Sequence, residues 1–392
     1  MGRTPLLSKL SYFRKRRHLS DKEQESLLVP RNRSAQSRRE RSYGRNYHSI
    51  FMMVAILVIN MIVLSGCKPD SEERGDAQQE EDIVVGFSMG TLLEDRWIRD
   101  RDIFMAEAEQ NGIQVIVNNA NNDSDLQYEQ VKEMLKRGID VLVIAPNDCY
   151  SEARCVKAAK EKNVPVISYD RLVSNADVDA YISFDHTQVG TLMASYLVEH
   201  VPEGGYLIVN GSDTDTNSKM IYNGAMNVLQ PYIDKGKIQI LAQTSVEGWK
   251  RENAYDFVAD QLKEHKQEVK AILCGNDSMA WGVIDALSEA QIAEQVTVVG
   301  QDADLVACQR IVNGKQALTV YKPIKNLVQM TVEECKKLVN GEKIDSQGTI
   351  NDGTYEVPYI FIGVEAVTKD NIKETVIKDG FHLYEDVYQT SE

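Results

Sequence analysis

The sequence predicts an α/β protein made of two doubly wound parallel-sheet lobes. From residue 83 onward, short apolar runs alternate with amphipathic segments, which is the pattern of parallel strands covered by helices on both faces. About ten such strands are too many for one sheet in a chain of this length, so two sheets in two lobes are expected. Polar residues follow many of the strands directly, at the edge where open parallel sheets bind ligands.

The predicted strands are apolar runs of similar length. They are Ile83–Phe87, Ile113–Val117, Val141–Ala145, Val164–Ser168, Tyr181–Phe184, Tyr206–Asn210, Ile238–Leu241, Ala271–Cys274, Val296–Gly300 and Leu318–Tyr321. Apolar residues at helical spacing predict helices between them. The clearest are Arg99–Gln110, Leu126–Arg137, Glu152–Lys162 and Val189–His200. The first two are followed by Gly112 and Gly138, and glycine is a frequent helix stop.

Charge divides the chain into two unlike parts. Residues 1–50 carry 13 Lys and Arg against 4 Asp and Glu, and we predict a basic N-terminal extension over residues 1–49. This extension is either a mis-assigned start or a disordered cytoplasmic segment. Residues 68–392 carry 31 basic and 55 acidic residues. Because such an acidic body repels phosphate backbones, we expect no nucleic-acid partner.

An export signal is predicted at residues 50–67. It contains an uncharged apolar run that follows basic residues and ends in Leu64-Ser65-Gly66-Cys67. The last four residues resemble the lipobox of bacterial lipoproteins, so we predict that Cys67 is lipidated and that residues 68–82 form a flexible tether. An uncleaved transmembrane anchor is the alternative, although 17 uncharged residues are at the short limit for a bilayer.

The other five cysteines show neither metal-ligand nor disulfide-framework spacing. A bridge between Cys149 and Cys155 stays open as an alternative to free thiols. The chain also lacks a P-loop, a GxGxxG after the first strand, a GxSxG and an HExxH. Asp213–Asn217 begins like a calcium loop, but Ser218 and Gly224 replace its required Gly and Glu. We therefore predict no catalytic residue, no cofactor and no metal site.

Two tryptophans favour a carbohydrate ligand. A sugar offers apolar C–H faces to aromatic rings and hydroxyls to charged or amide side chains. Trp97 follows Arg96 soon after the first strand, and Trp249 precedes Lys250 and Arg251. Because both have charged neighbours at loop-to-helix positions, we expect them to sandwich one ring. Trp281 is expected to be a packing residue.

The chain resembles the periplasmic sugar-binding proteins of ABC importers. The resemblance spans residues 83–382. Its densest stretches are Arg96-Trp97 with Asp100–Phe104, Tyr169–Arg171, Tyr181–Asp185, Gly300–Leu305, Thr319–Ile324, Asn371–Lys373 and Val376–Phe381. One departure lies in Ser88–Leu93, where the family usually has an acidic pair and this chain has Met89-Gly90.

The resemblance implies two lobes joined by three crossing segments, with a sugar in the cleft. The expected first lobe is residues 83–186 plus 319–349, and the second is residues 187–318 plus 350–385. The first lobe should supply four ligand-binding residues, the second lobe five, and a crossing segment one. They are Arg96, Trp97, Asp170 and Arg171, then Asp215, Asn217, Trp249, Asn276 and Asp302, and finally Lys322.

The function implied by the resemblance is that of a monomeric, extracytoplasmic receptor that is not an enzyme. It would be anchored to the outer face of the cell membrane through Cys67, capture D-xylose or a close pentose, and deliver it to an ABC importer. The same receptor could instead serve a membrane histidine kinase as its sensor subunit. A sugar-responsive repressor is a remote alternative, because residues 1–50 lack the apolar periodicity of a DNA-binding helix-turn-helix.

Overall fold

A computed structural model describes residues 83–389. The predicted basic extension (1–49), export signal (50–67), lipidated Cys67 and tether (68–82) lie outside these residues. Among the residues that are described, no helix has both the length and the apolar character to span a membrane.

Thirteen strands are present in the described residues. They are β1 (Val84–Met89), β2 (Gln114–Asn119), β3 (Val141–Ala145), β4 (Val166–Tyr169), β5 (Ala180–Phe184), β6 (Gly204–Asn210), β7 (Ile238–Ser245), β8 (Val269–Cys274), β9 (Thr297–Gln301), β10 (Leu318–Tyr321), β11 (Gly348–Asn351), β12 (Glu356–Ile362) and β13 (Glu365–Val367).

The α-helices lie mainly between the strands. They are α1 (Asp95–Gln110), α2 (Ser124–Lys136), α3 (Ala153–Lys160), α4 (His186–His200), α5 (Thr216–Asp234), α6 (Arg251–His265), α7 (Asp277–Glu289), α8 (Leu305–Val312), α9 (Ile324–Val339) and α10 (Tyr384–Tyr388). Short 3₁₀ turns occupy Glu247–Trp249 and Ala293–Gln295, and a π-helical turn occupies Lys373–Ile377.

The strands form two separate sheets, one in each lobe. The first has seven strands in the order β11-β12-β5-β4-β3-β1-β2, and the second has six in the order β13-β10-β9-β8-β6-β7. Pairing is parallel except where β11 meets β12 and where β13 meets β10. The interior strand β3 is buried throughout, as expected for a parallel strand covered on both faces. The predicted fold of two parallel-sheet α/β lobes is confirmed.

The predicted lobe boundaries need correction at the second and third crossings. Residues 319–321 belong to β10, which pairs with β9 in the second lobe, whereas the prediction put them in the first. Residues 350–362 contain the end of β11 and all of β12, and β12 pairs with β5 in the first lobe. The chain therefore crosses between β5 and α4, between β10 and α9, and between β12 and β13. The prediction missed β11 to β13, so it could not use sheet pairing to place these crossings.

Three packed aromatic rings in the first lobe lie beside the segment that leads into the cleft. Phe87 on β1 lies 4.5 Å from Phe104 on α1 and 5.3 Å from Tyr169 at the end of β4, measured between ring centroids. All three rings are fully buried. They fix the position of the chain immediately before Asp170.

The five cysteines among residues 83–389 are buried and free. The alternative of a Cys149–Cys155 disulfide is thus not adopted. Burial raises the pKa of Cys149 to about 11 and that of Cys155 to about 12, so both thiols remain protonated at neutral pH.

Candidate sugar-binding cleft

A narrow cavity lies between the two lobes, with about 320 Å³ of space that includes its opening to solvent. The structure brings all ten of the predicted ligand-binding residues to its wall. They are Arg96, Trp97, Asp170, Arg171, Asp215, Asn217, Trp249, Asn276, Asp302 and Lys322. Both lobes and the second crossing segment therefore contribute to one site.

The strand ends place most of these side chains. Asp170 and Arg171 follow β4, Asn276 follows β8, and Asp302 follows β9. Because the carboxyl ends of parallel strands meet at one edge of a sheet, each lobe presents its polar residues to the same cleft. Residues that are far apart in the sequence therefore lie together in the cleft.

Three of the cavity residues have a left-handed backbone. The φ angles are 59° for Asp170, 56° for Trp249 and 101° for Asp302. This region is unfavourable for residues other than glycine, and it is least costly for Asp and Asn. Such strain persists only where the surrounding structure fixes the backbone, and here it holds three side chains in the cavity wall.

Arg96 and Asp170 form the charged centre of the first lobe. The Arg96 guanidinium lies 3.0 Å from Asp170 Oδ1 and 3.2 Å from Asp100 Oδ2, and all three residues are buried. Burial alone would raise the pKa of Asp170, but Arg96 and His186 outweigh it and hold that pKa well below its ordinary value. Asp170 is therefore ionised and available to accept hydrogen bonds.

Contacts between the lobes surround the cavity. Arg171 Nε of the first lobe lies 2.8 Å from Asp215 Oδ2 of the second. The Asn217 side-chain amide donates to the Asp170 carbonyl at 3.1 Å and accepts from Tyr181 Oη at 3.1 Å. These contacts bring the two halves of the site together in the arrangement described by the structure.

Lys322 provides a second charged pair on the opposite wall. Its Nζ lies 2.6 Å from Asp302 Oδ1. Asp302 Oδ1 and Asp215 Oδ2 each lie close to a cation. Neither contact has the angles of a hydrogen bond. The lone pairs of both oxygens thus retain the capacity to accept from a ligand.

The two predicted tryptophans lie on opposite lobes but in different surroundings. The guanidinium carbons of Arg96 and Arg171 lie 4.2 and 5.0 Å from the Trp97 ring centroid, within cation–π range. The Trp249 ring lies so close to the Gly211 backbone that an added Cβ there would be 2.2 Å from ring atoms. Its indole Nε1 is buried and has no hydrogen-bond partner among the described residues. Trp281 lies outside the cavity and packs against Arg251.

Three residues of the cavity wall were missed by sequence reasoning: Glu94, His186 and Gln301. His186 follows β5 at the first crossing, and Gln301 lies in the Gly300-Gln301-Asp302 strand end that had been singled out. Gln301 Nε2 donates to the Gly275 carbonyl at 2.6 Å, while its Oε1 is buried without a partner. Gln301 stands directly beside Asp302, Glu94 stands two residues before Arg96, and His186 follows the stretch Tyr181–Asp185, so their positions in the sequence were the available signal.

The chemistry of the cavity is that of reversible binding to a small polyhydroxyl compound. Its wall combines three cationic side chains, four carboxylates, three amides and two indoles. Within residues 83–389, no cluster of His, Cys, Asp or Glu could hold a metal ion.

Comparison with known proteins gives consistent matches. The periplasmic binding protein domain model matches residues 85–343. The D-xylose-binding periplasmic protein of Haemophilus influenzae is 42% identical over 79% of this chain and 93% of its own length. Its counterpart from Escherichia coli is 41% identical over 78% of this chain and 93% of its own length.

The fold has solved counterparts as well. An ABC transporter solute-binding protein of Clostridium phytofermentans, with bound β-D-glucose, superposes with a TM-score of 0.75 at 29% identity. The match covers 78% of this chain and 99% of that one. These relatives are solute-binding proteins, which confirms that the chain is a binding protein and not an enzyme. The chain belongs to the periplasmic binding protein family, together with the D-xylose-binding periplasmic proteins.

Proposed function

We propose that this protein is a lipid-anchored, extracytoplasmic receptor that captures D-xylose, or a close pentose, and delivers it to an ABC importer. The observation that carries the proposal is the convergence of ten residues, predicted from the sequence, on one cavity between the lobes. Identities of 41% and 42% to D-xylose-binding proteins favour xylose over other sugars.

The charged groups suit a ring edge that carries hydroxyls. Asp170, Asp215 and Asp302 accept hydrogen bonds, and Arg96, Arg171 and Lys322 donate them. Hydrogen bonds to ionised groups are stronger than those between neutral groups. Each hydroxyl both donates and accepts, so alternating acids and bases around the wall can satisfy every hydroxyl of a pyranose.

The apolar faces of the ring need flat surfaces. Trp249 supplies one from the second lobe, because its ring is held against Gly211 and Gly275 and only 8% of the residue is exposed. Trp97 supplies the other from the first lobe, where two guanidinium groups hold its ring. We propose that both faces of the sugar are covered in this way.

Pentose preference would follow from the narrowness of the cavity. A hexose such as glucose adds a hydroxymethyl group, which must find room between buried side chains of the wall and a partner for its hydroxyl. A buried hydroxyl without a partner costs about 1–3 kcal/mol. Glucose is the relevant competitor because the solved counterpart from Clostridium phytofermentans holds it.

Calorimetric titration tests the ligand and the site together. The purified protein should bind D-xylose more tightly than ribose, arabinose, galactose or glucose. Trp249→Ala and Asp302→Ala should weaken xylose binding, whereas their controls outside the cavity, Trp281→Ala and Asp345→Ala, should not. Tighter binding of glucose would overturn the substrate, and unchanged xylose affinity in both cavity variants would overturn the site.

Membrane anchoring rests on the Leu64-Ser65-Gly66-Cys67 pattern and has its own test. Mass spectrometry of the protein purified from membranes should show an N-terminal, lipid-modified Cys67. Multiple acyl chains hold a protein firmly at a membrane, whereas one chain holds it only marginally. A wild-type protein without lipid would refute the anchor while leaving sugar binding untouched.

A further inference from the structure

Glu94 lies at the N-terminus of α1, but its side chain does not cap the helix. It is the residue before α1, where a short polar side chain often accepts a hydrogen bond from the first helical turn. The Glu94 side chain makes no such bond. It lies instead in the wall of the sugar cavity, beside Arg96 and Trp97.

One oxygen of this carboxyl is buried and unsatisfied. Glu94 Oε2 has no hydrogen-bond partner among the described residues and almost no contact with solvent. Burial raises the pKa of Glu94, and the positive charge of Arg171 is the largest effect that opposes this rise. A buried acceptor without a partner is unfavourable, so the site is arranged for a donor that the protein does not itself provide.

The surroundings identify where that donor would come from. Glu94 belongs to the first lobe, yet it lines both the cavity and the adjoining groove at the cleft mouth together with Trp249 of the second lobe. It therefore stands next to the indole ring on which a sugar would lie. The hydroxyl rim of that sugar is the one source of donors that the proposed ligand brings to this wall.

We propose that Glu94 is a specificity-determining residue that accepts a hydrogen bond from one hydroxyl of the bound sugar. This inference rests on the proposed function and adds an eleventh contact to the ten predicted from the sequence. The contact is directional, since only a hydroxyl that faces Glu94 can form it. Sugars that lack this hydroxyl, or carry it in the other configuration, lose the contact.

The alternative is that Glu94 acts only through its charge, by balancing Arg171. Three variants separate the two roles. Glu94→Gln keeps the size and an acceptor oxygen, Glu94→Leu keeps the bulk but removes hydrogen bonding, and Asp95→Asn removes a neighbouring exposed charge as a matched control. Because the first turn of α1 does not depend on the Glu94 side chain, these changes leave the helix start intact.

Each protein is titrated with the preferred sugar of the wild type and with monodeoxy derivatives that each lack one hydroxyl. We expect Glu94→Leu to weaken binding of the parent sugar about 10-fold or more, and Glu94→Gln to weaken it less. One deoxy derivative should bind wild type and Glu94→Leu almost equally, since it lacks the partner hydroxyl. Asp95→Asn should bind every sugar as the wild type does.

Two outcomes would overturn the inference. One is that Glu94→Leu weakens every derivative by the same factor as the parent sugar, which indicates a charge or structural role. The other is that Glu94→Leu binds the parent sugar as tightly as the wild type. If the wild type prefers a sugar other than xylose, only the proposed substrate fails, because the comparison is made with derivatives of whichever sugar binds best.

Discussion

The two lobes present differently organised faces to the cleft. On the first lobe, Arg96 is held by Asp100 and Asp170, and the Asp170 carbonyl accepts from the hydroxyl of Ser183 at 2.6 Å. On the second lobe, several cavity groups lack partners among the described residues of their own lobe, as Glu94 Oε2 does on the first. Trp249 Nε1 and Gln301 Oε1 have none in the described part of the chain, and Asp215 Oδ2 finds its cation across the cleft.

This difference suggests a division of work between the lobes. A cluster whose members already hold one another is pre-organised for a ligand and loses little entropy on binding. A face with unpaired groups forms most of its hydrogen bonds and ion pairs only when the ligand binds and the other lobe comes into contact. The first lobe should therefore bind the sugar first, and the second should complete its contacts as the cleft closes.

The largest expected effect is on the first-lobe network. Asp170→Asn keeps the left-handed backbone acceptable but removes the charge that faces Arg96. Breaking a buried ion pair by removing one partner costs about 3–5 kcal/mol, and we expect the free energy of unfolding to fall towards that range in urea titrations. Asp302→Asn on the second lobe should cost less, because Asp302 has one ion-pair partner among the described residues, whereas Arg96, His186 and Lys322 all stabilise the charge of Asp170.

Glu129→Gln is the control for this comparison. It removes the partner of Lys132 in an exposed pair, where water screens the charges, so we expect a loss far smaller than that of Asp170→Asn. Equal losses for Asp170→Asn and Asp302→Asn would contradict the view that the first lobe is the more tightly organised.

A smaller effect is expected at the aromatic surface of the second lobe. In Gly211→Ala the new methyl group would lie 2.2 Å from Trp249 ring atoms, so the indole must move. Overpacking of this kind costs about 1–3 kcal/mol of stability, and calorimetry should show weaker xylose binding although no charge has changed. Gly348→Ala on β11 is the control, because nothing lies within 4 Å of its added Cβ. Wild-type affinity in Gly211→Ala would show that Trp249 need not keep its position.

The smallest effect concerns His382, which links the lobes at a distance from the sugar. Its Nδ1 lies 3.0 Å from an Arg99 nitrogen of the first lobe, and its Nε2 lies 2.7 Å from the Ala303 carbonyl. Burial and the neighbouring Arg99 lower the pKa of His382 to about 4, despite opposing effects from the Ala303 carbonyl, Asp386 and Asp95. The ring is thus neutral in the folded protein at neutral pH.

Because this pKa lies below its unfolded value, the unfolded chain takes up a proton first as the pH falls through about 6.5. The stability that wild type derives from His382, relative to His382→Gln, should therefore decrease by about 1 kcal/mol between pH 7.5 and 5.5. Urea titrations of both proteins at the two pH values measure this difference. A difference that stays constant with pH would show that His382 does not titrate as its burial requires.

Strong local patterns made much of the fold predictable. Ten strands are predicted by apolar runs in the sequence. The polar residues that follow parallel strands must lie together at the edge of the sheet. The returning strands were missed for physical reasons. β11 is short and largely exposed, β13 has three residues, and β12 contains Pro358, which argues against a strand in sequence terms.

The cavity was predictable where the resemblance supplied a motif and not elsewhere. Arg96 and Asp170 lie within distinctive stretches. Glu94 looks like an ordinary polar residue at a helix start, and only the structure shows that its side chain makes no hydrogen bond to the helix. His186 begins α4 and could equally have been a surface residue, but it is buried beside Ser183 at the first crossing. Such roles depend on contacts between the lobes, which no local pattern encodes.

Small-angle X-ray scattering with and without D-xylose tests the division of work between the lobes most directly. If the sugar bridges a pre-organised first lobe and a second lobe that closes on it, the radius of gyration should decrease on addition of saturating xylose. Asp302→Ala, which lacks a second-lobe contact, should need more xylose to reach the same decrease. A radius that is unchanged at saturating xylose, with binding confirmed by calorimetry, would contradict closure around the sugar.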